Sequence, residues 1–421
     1  MLERLELQDV GPAASMRLDL APRMNVIAGD NGLGKTFVLD VAWWAMTGTW
    51  SGYQASPHRG EGVRPSIAYV NRPDRASRYQ LTDTFDVAEQ SWTSPNLSSK
   101  RNEPVFYARV DGGFSIFDRL RDRGNRLPPE TWGPLPGFHF STSEVWDGLS
   151  IEGYDKTTLC NGLIRDWATW QLQRGPAFET LTRVLEVLSP HPGETIRPGA
   201  ATTRVSTRDV RDIPTLDMPY GTIPVVHASA GMKRILALAY LLVWTWREHV
   251  EAAKLKNTAP SKSLVMLFDE VEAHLHPQWQ RVLLPALLRA VHELSPEIDV
   301  QILATTHAPL VLASLEPHFD DARDALFHFG LEGKDVTVSK VPWRMRGDAS
   351  AWLTSEVFEL GEARSREAEE AIRGAKQAML RPDLPIEEAR RIHHELHAIL
   401  KDTDPFWPRW LVRAKQAGVE P

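Results

Sequence analysis

Hydrophobic and polar positions alternate with a period of two at the start of the chain. Residues 2–7 and 16–20 show this alternation, and Gly11-Pro12 between them supplies a turn, so the pattern predicts an antiparallel hairpin. Further along, the alternation gives way to runs that are apolar at nearly every position, as is typical of strands in the middle of a parallel sheet. The run at 264–268 is apolar at every position, and residues 24–28 and 300–307 are predicted as two further buried strands.

Apolar residues at helical spacing predict helices elsewhere. Residues 37–44 and 161–188 have this spacing, and Trp167 and Trp170 in the second segment are assigned to the core. Between 51 and 140 the composition shifts to Gly, Pro, Arg and Asp with short β-like runs. Three charged helices are predicted near the C-terminus, at residues 350–360, 363–380 and 386–401.

A glycine-rich loop lies between the first apolar strand and the first apolar helix. Residues 29–36 read Gly-Asp-Asn-Gly-Leu-Gly-Lys-Thr and match the phosphate-loop pattern G-x-x-x-x-G-K-[ST]. Backbone N–H groups turned toward phosphate, together with the dipole of the following helix, favour ATP here. The plainer alternative is a glycine turn ahead of a core helix. The residues predicted to bind the nucleotide are Asn31, Gly32, Leu33, Gly34, Lys35 and Thr36.

Two of these loop residues and two acids have predicted roles in phosphate binding, metal binding and hydrolysis. Lys35 is expected to reach the β- and γ-phosphates, and Thr36 to ligate Mg²⁺. Asp269 and Glu270 end the strand at 264–268, where the carboxyl ends of parallel strands bind ligands. Asp269 is predicted to hold Mg²⁺ and Glu270 to polarise the attacking water, unless these acids only open the next helix.

Three further motifs resemble those of the ABC-type ATPases. Residues 227–234, which precede a long apolar helix with Ser229 as its N-cap, resemble the ABC signature. Residues 272–277 resemble the subunit-contact loop, where a metal site at the two histidines is the less favoured alternative. His307 matches the switch histidine, which in this family senses the γ-phosphate. The resemblance assigns the partner subunit's nucleotide to Ser229, Ala230, Gly231 and Lys233, and a catalytic role to Glu270 and His307.

As a set, these motifs resemble the RecF, OLD and SMC-like group of ABC-type ATPases over residues 1–50 and 225–345. Within it, residues 272–280 and 306–309 are most similar to the AAA-family ATPases of bacterial anti-phage operons, especially those of the Septu system. No glutamine fits the Q-loop, for which Glu144, Ser141 or, less well, Gln80 are the candidates. No heptad arm or Toprim-like acidic pattern is found.

The resemblance implies an α/β fold, namely an ABC-type P-loop ATPase head with a mixed, largely parallel central sheet. It implies ATP and Mg²⁺ as cofactors, a homodimer or a higher oligomer of dimers closed around ATP, and a separate effector such as an HNH nuclease. Two alternatives stay open: a repair ATPase that binds DNA directly, and a nucleotide-gated scaffold with negligible turnover.

Composition and charge limit the classes of protein to which the chain can belong. The 421 residues carry a net charge of −7, which argues against a globally basic nucleic-acid binder, and Cys160 is the only cysteine, so no intrachain disulfide forms. The longest apolar run, 235–246, is too short to span a bilayer, and the start of the chain lacks a signal-peptide pattern. A cytoplasmic protein without membrane association is therefore expected.

The expected organisation has five parts. The hairpin and phosphate loop occupy 1–50, the inserted β-rich subdomain 51–160, a helical lobe 161–224, the signature, acidic strand and switch 225–345, and a C-terminal helical extension 346–421. The extension ends in Phe406, Trp407 and Trp410 between prolines. These aromatics predict either a cap packed on its own domain or a docking surface for a partner.

Overall fold

The computed structural model describes residues 1–58, 64–72, 77–93, 103–121, 137–151 and 157–419. It divides into two compact units, Met1–Gly347 and Asp348–Pro421. The strands of the first unit up to residue 160 are β1 (Leu2–Val10), β2 (Ala13–Asp19), β3 (Met24–Gly29), β4 (Ser66–Asn71), β5 (Tyr79–Asp86), β6 (Ser91–Thr93), β7 (Val105–Ala108), β8 (Phe114–Phe117), β9 (Phe138–Phe140), β10 (Leu149–Ile151) and β11 (Thr157–Cys160). The later strands are β12 (Arg197–Pro198), β13 (Thr215–Met218), β14 (Gly221–Pro224), β15 (Ser263–Phe268), β16 (Asp299–Thr306), β17 (Asp324–Glu332) and β18 (Asp335–Val341).

The helices of the first unit are α1 (Lys35–Thr47), α2 (Thr142–Asp147), α3 (Leu163–Gln173), α4 (Pro176–Val187), α5 (Ala230–Leu255), α6 (Pro277–Gln280), α7 (Leu283–Leu294) and α8 (Pro309–Leu315). Those of the second unit are α9 (Ala349–Leu353), α10 (Arg366–Met379), α11 (Ile386–Ile399) and α12 (Trp407–Gln416).

An eight-stranded sheet in the order β18-β17-β3-β16-β15-β7-β8-β9 forms the centre of the first unit. The five strands from β17 to β7 run parallel, and β18, β8 and β9 are antiparallel to their neighbours. All six residues of β3 are buried, Asn25 included, which explains why its sequence is a nearly continuous apolar run rather than an alternation. The expected α/β class with a mixed, largely parallel sheet is confirmed.

A second sheet, in the order β2-β1-β4-β5-β6, is antiparallel throughout. Its first two strands are the predicted N-terminal hairpin, with apolar residues such as Leu5 and Leu18 buried and the alternate positions more exposed. Helix α1 belongs to the same hydrophobic core as β1 and β15, and its Trp43 is fully buried. Burial of a large side chain contributes about 1.5–3 kcal/mol, so this helix is held firmly beneath the phosphate loop.

The expected inserted subdomain at 51–160 is instead divided between the two sheets. Strands β4 to β6 extend the hairpin sheet, whereas β7 to β9 join the central sheet beside β15. The run at 105–110 is thus a core strand, because four consecutive buried residues, Val105–Ala108, suit a sheet covered on both faces. Of the arginine-rich stretch at 118–126, residues 122–126 lie outside the described part.

The segment predicted as one helix at 161–188 forms two. Helix α3 stops at Arg174, which adopts a left-handed conformation with φ 50°, and α4 begins at Pro176 after Gly175. Proline is favoured in a first helical turn but cannot continue a preceding helix, which accounts for the break. Trp167 and Trp170 are buried as expected.

Helix α5 contains the longest apolar run of the sequence. Ser229 caps it, and residues 235–245 are all buried within the first unit. This burial explains a run that is apolar on every side of the helix. Among the described residues, no helix has both the length and the apolar character that crossing a membrane requires.

The C-terminal unit has its own core, formed by α10, α11 and α12. Trp410 is fully buried, and Phe406 and Trp407 are each 7 % exposed. The alternative of an aromatic docking surface is therefore wrong for these three side chains, because their area is already used inside the unit. His394 and His397 are exposed, whereas His393 is half-buried.

Candidate nucleotide-binding and catalytic site

The phosphate loop joins β3 to α1 and depends on glycine at two positions. Gly29 has φ 138°, and a Cβ there would lie 2.2 Å from the carbonyl oxygen of Phe329. Gly34 has φ 93°, and a Cβ there would lie 2.6 Å from Cγ of Pro12 in the β1–β2 turn. Both positions exclude larger residues, so the loop is held between β17 and the hairpin with its backbone free to face a ligand.

Lys35 opens α1 and is 5 % exposed. Its Nζ donates hydrogen bonds to the carbonyl oxygens of Gly29 at 2.9 Å and Asp30 at 2.6 Å. Burial lowers the pKa of Lys35, and the nearby carboxylates, Glu270 foremost, oppose that shift. A buried ammonium held by carbonyl oxygens of its own loop is well suited to exchange them for phosphate oxygens.

Asp269 follows β15 and contacts two hydroxyl groups. Thr36 and Thr305 both donate to its Oδ1, at 3.0 and 2.9 Å. Its Oδ2 is buried and has no hydrogen-bond partner among the described residues, although the side chain is 2 % exposed. Burial raises the pKa of Asp269, and the two hydroxyl groups counteract that effect.

These donors fit a magnesium ion. Mg²⁺ prefers oxygen ligands and usually takes one or two protein side chains, with water and phosphate completing its octahedron. The hydroxyl of Thr36 and the unpaired Oδ2 of Asp269 supply such a pair, and an unsatisfied buried carboxylate oxygen is costly without a partner.

Glu270 is oriented by an uncommon backbone conformation. Its φ is 47°, in the left-handed region, and its N–H donates to Oγ1 of Thr305 at 2.7 Å. The carboxylate is 38 % exposed, and its Oε1 lies 3.6 Å from Nε2 of His307. Non-glycine residues with positive φ cluster at functional sites, and here the turn directs Glu270 away from the strand and toward the switch histidine.

The signature residues form a separate part of the site. Ser229 accepts a hydrogen bond from the N–H of Met232 at 3.3 Å, as predicted for an N-cap. Gly231 packs so closely on the loop after Glu270 that a Cβ would lie 3.0 Å from the carbonyl oxygen of His274. In the described residues, no hydrogen bond or ion pair joins residues 229–233 to the phosphate loop. The first turn of α5 therefore packs on the loop that follows the acid pair.

The candidates for the Q-loop are engaged elsewhere. Glu144 and Ser141 form a reciprocal capping box at the start of α2, with Ser141 N–H to Glu144 Oε2 at 2.8 Å. Gln80 lies on β5 in the hairpin sheet, paired with Val70. Arg109, directly after β7, instead lies next to Asp269 at the carboxyl ends of the parallel strands.

Strand β7 supplies residues that sequence reasoning missed. The N–H of Asp269 donates to the carbonyl oxygen of Ala108 at 2.9 Å. Tyr107 donates through its hydroxyl to Oδ1 of Asp40 at 3.2 Å, and Ser51 donates to the same oxygen at 2.8 Å. Burial raises the pKa of Asp40, and it raises that of Tyr107 well above its ordinary value. The apolar run 105–108 ending in a charged residue was the signal for this strand, as it was for β15.

The structure therefore gathers one set of predicted residues at the carboxyl ends of β3, β15 and β16. Lys35, Thr36, Asp269, Glu270 and His307 form this set, and contacts among them or through Thr305 connect all but Lys35, whose pKa responds to both acids. Charge, hydroxyl and carboxylate groups together suit a phosphorylated ligand with a divalent cation.

Comparison with known proteins agrees with this geometry. Residues 24–313 match the family described as "AAA domain, putative AbiEii toxin, Type IV TA system". The chain belongs to this family. The matched range of this AAA family contains residues 29–36, 229–233, 269–270 and 307.

Two relatives are similar in sequence. Septu protein PtuA of Bacillus thuringiensis is 23% identical over 404 residues, which cover 88% of this chain and 87% of that protein. The retron Ec83 probable ATPase of Escherichia coli is 27% identical over 145 residues, 34% of this chain and 22% of that protein. The expected resemblance to the Septu ATPases is confirmed.

Solved structures of two ATPase heads are also similar. The SMC head domain from Thermotoga maritima is 15% identical with a TM-score of 0.40, covering 81% of this chain and 99% of that chain. The recombination mediator protein RecF is 11% identical with a TM-score of 0.37, covering 81% and 98%.

Proposed function

We propose that this protein binds and hydrolyses ATP with Mg²⁺, in a dimer that closes around two nucleotides. The observation that carries the proposal is the convergence of Lys35, Thr36, Asp269, Glu270 and His307 at one edge of the central sheet. Membership of an AAA family supports nucleotide binding, and the intact lysine and acid pair support turnover rather than a passive scaffold.

In the proposed reaction, Lys35 leaves its loop carbonyls and neutralises the β- and γ-phosphates. Thr36 and Asp269 would hold Mg²⁺, and the ion would neutralise charge on the phosphates. Glu270 accepts a proton from water as the water oxygen attacks the γ-phosphorus, and the bond from that phosphorus to the β–γ bridging oxygen breaks to release ADP. His307, 3.6 Å from Glu270, holds the carboxylate and the γ-phosphate in line.

The position of the signature-like residues supports the proposed dimer. Ser229, Ala230, Gly231 and Lys233 lie at a helix N-terminus that, in the described residues, has no hydrogen bond or ion pair to the phosphate loop of the same chain. A helix N-terminus favours anions, so its partner is the γ-phosphate held by a second subunit. Each active site is then shared between two chains, and ATP is the link that closes the dimer.

We further infer that the ATPase acts in anti-phage defence on a separate effector protein, such as an HNH nuclease. The similarity to Septu protein PtuA over most of both chains supports this assignment, as does the shorter match to the retron ATPase. Direct action on DNA is the alternative, which salt-sensitive DNA binding by the purified protein would favour.

The Glu270→Gln variant tests the proposed function. Without a proton acceptor for water, we expect ATP affinity within about threefold of the parent and turnover reduced at least about a hundredfold. The trapped ATP state should elute as a dimer in size-exclusion chromatography with light scattering, whereas the ADP state should not. Parental turnover by Glu270→Gln would contradict the assignment of this residue. A parent protein with no measurable turnover would favour the scaffold.

A further inference from the structure

Glu272 lies in the loop between the acid pair and α6, and it bonds to the switch segment. Its Oε2 accepts a hydrogen bond from the hydroxyl of Thr306 at 2.8 Å, and its Oε1 accepts a short one from the N–H of His307. One carboxylate thus binds the last residue of β16 and the residue that follows it, 34 and 35 positions further along the chain. The sequence predicts no role for Glu272 beyond its place in a loop that resembles the subunit-contact loop.

Two backbone hydrogen bonds and a packing contact hold the loop that carries Glu272. The N–H of Val271 donates to the carbonyl oxygen of Thr305 at 3.0 Å, and that of Leu275 donates to the carbonyl oxygen of Glu272 at 2.9 Å. Gly231 of the signature helix packs against the carbonyl oxygen of His274. The loop therefore holds the carboxylate of Glu272 in a fixed position, from which it binds Thr306 and His307.

The switch segment depends on this contact for its geometry. β16 ends at Thr306, and α8 begins at Pro309, so His307 lies in a short connection without a ladder partner. Its N–H has no strand or helix acceptor and is paired with Glu272 instead. Loss of that acceptor frees the backbone at the residue whose Nε2 must stay 3.6 Å from Glu270.

We propose that Glu272 is a positioning residue for hydrolysis: its carboxylate holds His307 against Glu270, and it acts through hydrogen bonds rather than through its charge. This proposal rests on the proposed ATPase function. The same loop contacts Gly231, so the hydrogen bonds of Glu272, here called the clamp, also link His307 to helix α5 of the same subunit. Turnover at the nucleotide of one subunit is thereby coupled to the surface that its helix α5 presents to the nucleotide of the other subunit.

Three variants test the proposal in the full-length protein. Glu272→Ala removes both acceptors, and we expect kcat to fall at least tenfold with the Kd for a fluorescent ATP analogue within threefold. Glu272→Gln can still accept from the N–H of His307 through its amide oxygen while its amide N–H donates to Oγ1 of Thr306. It should retain at least a third of the parental kcat. Glu316→Gln is the matched control, since Glu316 also accepts backbone N–H groups, from Arg346 and Gly347, outside the site.

A second readout does not require turnover. Amide hydrogen exchange of residues 305–308, followed by mass spectrometry, should accelerate at least tenfold in Glu272→Ala and stay near the parental rate in Glu272→Gln and Glu316→Gln. If the parent hydrolyses no ATP, the proposed function fails, but unchanged exchange in Glu272→Ala would separately overturn the clamp. Equal loss of kcat in the Gln and Ala variants would overturn the proposal in favour of a charge-based role. Parental kcat in Glu272→Ala, or parallel loss of affinity and melting temperature, would also overturn it.

Discussion

The hydroxyl of Thr36 donates a 3.0 Å hydrogen bond to Oδ1 of Asp269, although 233 positions separate the two residues. The first residue comes from the phosphate loop and the second from the end of β15, with β16 between their strands in the sheet. The contact brings the two proposed Mg²⁺ ligands together, and it leaves Oδ2 of the carboxylate without a partner in the described residues.

Replacement of this hydroxyl should remove the magnesium dependence of ATP binding. Thr36→Val keeps the shape of the side chain but offers no oxygen ligand, so the Kd for ATP in Mg²⁺ should rise about tenfold, which is about 1.4 kcal/mol. Titration of a fluorescent ATP analogue with and without EDTA measures this. Thr36→Ser restores the hydroxyl and is the control. A Thr36→Val protein that still binds ATP better with Mg²⁺ than with EDTA would contradict the assignment.

Lys35→Ala should weaken ATP binding itself. The buried ammonium is the only cationic group that the structure places among the phosphate-loop residues, and a charge-assisted hydrogen bond contributes about 1.5–3 kcal/mol. We therefore expect the Kd to rise at least about tenfold by isothermal titration. Lys262→Ala, which removes an exposed lysine paired with Glu297, should bind ATP like the parent. Parental affinity in Lys35→Ala would exclude this loop as the phosphate site.

The sequence predicts the site far better than the sheet around it. Asp269 and Glu270 follow residues 264–268, which are apolar at every position, and such a run predicts a strand in the middle of a parallel sheet. The strand before His307 is buried but mixes Gln301 and Thr305 with its apolar residues. Strand β7 has only four apolar residues in a region rich in glycine and proline. Its pairing with β15 is a contact across more than 150 positions, which no local pattern encodes.

Two other features of the structure differ in whether the local sequence could predict them. Ser141 and Glu144 have the S-x-x-E spacing of a capping box, so their mutual pairing could have been predicted and their availability as ligands doubted. The burial of Phe406, Trp407 and Trp410 could not, because flanking prolines suit a docking loop and a helix start equally well. Only the packing of α12 against α10 and α11 decides between them.

Cys160 should be chemically inert in the folded protein. Burial raises the pKa of its thiol to about 11, even though its Sγ lies 3.0 Å from the hydroxyl of Tyr240. At pH 8 roughly one thiol in a thousand is then ionised, and the thiolate is the reactive form. Ellman's reagent should release no colour within an hour from native protein and one equivalent after denaturation in guanidinium. A fast native reaction would show that this core opens readily.

The C-terminal unit should lose stability in mild acid. Burial, with help from His397 and His394, lowers the pKa of His393 below its ordinary value of 6.5, and its Nδ1 accepts from Nε1 of Trp410 at 3.3 Å. A lowered pKa means that folding favours the neutral ring. The contribution is therefore complete above pH 6.5 and is lost as pH falls through the lowered pKa.

Amide hydrogen exchange of residues 386–416 at pH 7.5 and at pH 5 measures this loss in the full-length protein. Protection, after correction for intrinsic exchange rates, should drop in acid for the parent. It should change less in His393→Asn, whose amide oxygen can accept from Trp410 and does not titrate. His394→Asn removes the smaller of the two neighbouring charges that lower the pKa of His393, so its acid sensitivity should lie between those of the parent and His393→Asn. Equal acid sensitivity of the parent and His393→Asn would assign the effect to another group.

The shared active site can be tested by mixing two inactive proteins. Lys35→Ala lacks its phosphate contact but keeps the signature, and Ser229→Arg keeps the phosphate loop but blocks its own signature. In a symmetric dimer, a mixed pair has one composite site with both halves intact. An equimolar mixture that exchanges subunits freely should contain half mixed dimers with one intact site of two, so about a quarter of parental turnover is expected.

Ser229→Ala is the control for the lost cap, which costs about 1 kcal/mol of helix stability without adding bulk. Turnover of the mixture equal to the sum of the two separate proteins, after confirmed subunit exchange, would rule out the shared site and leave each chain to act alone.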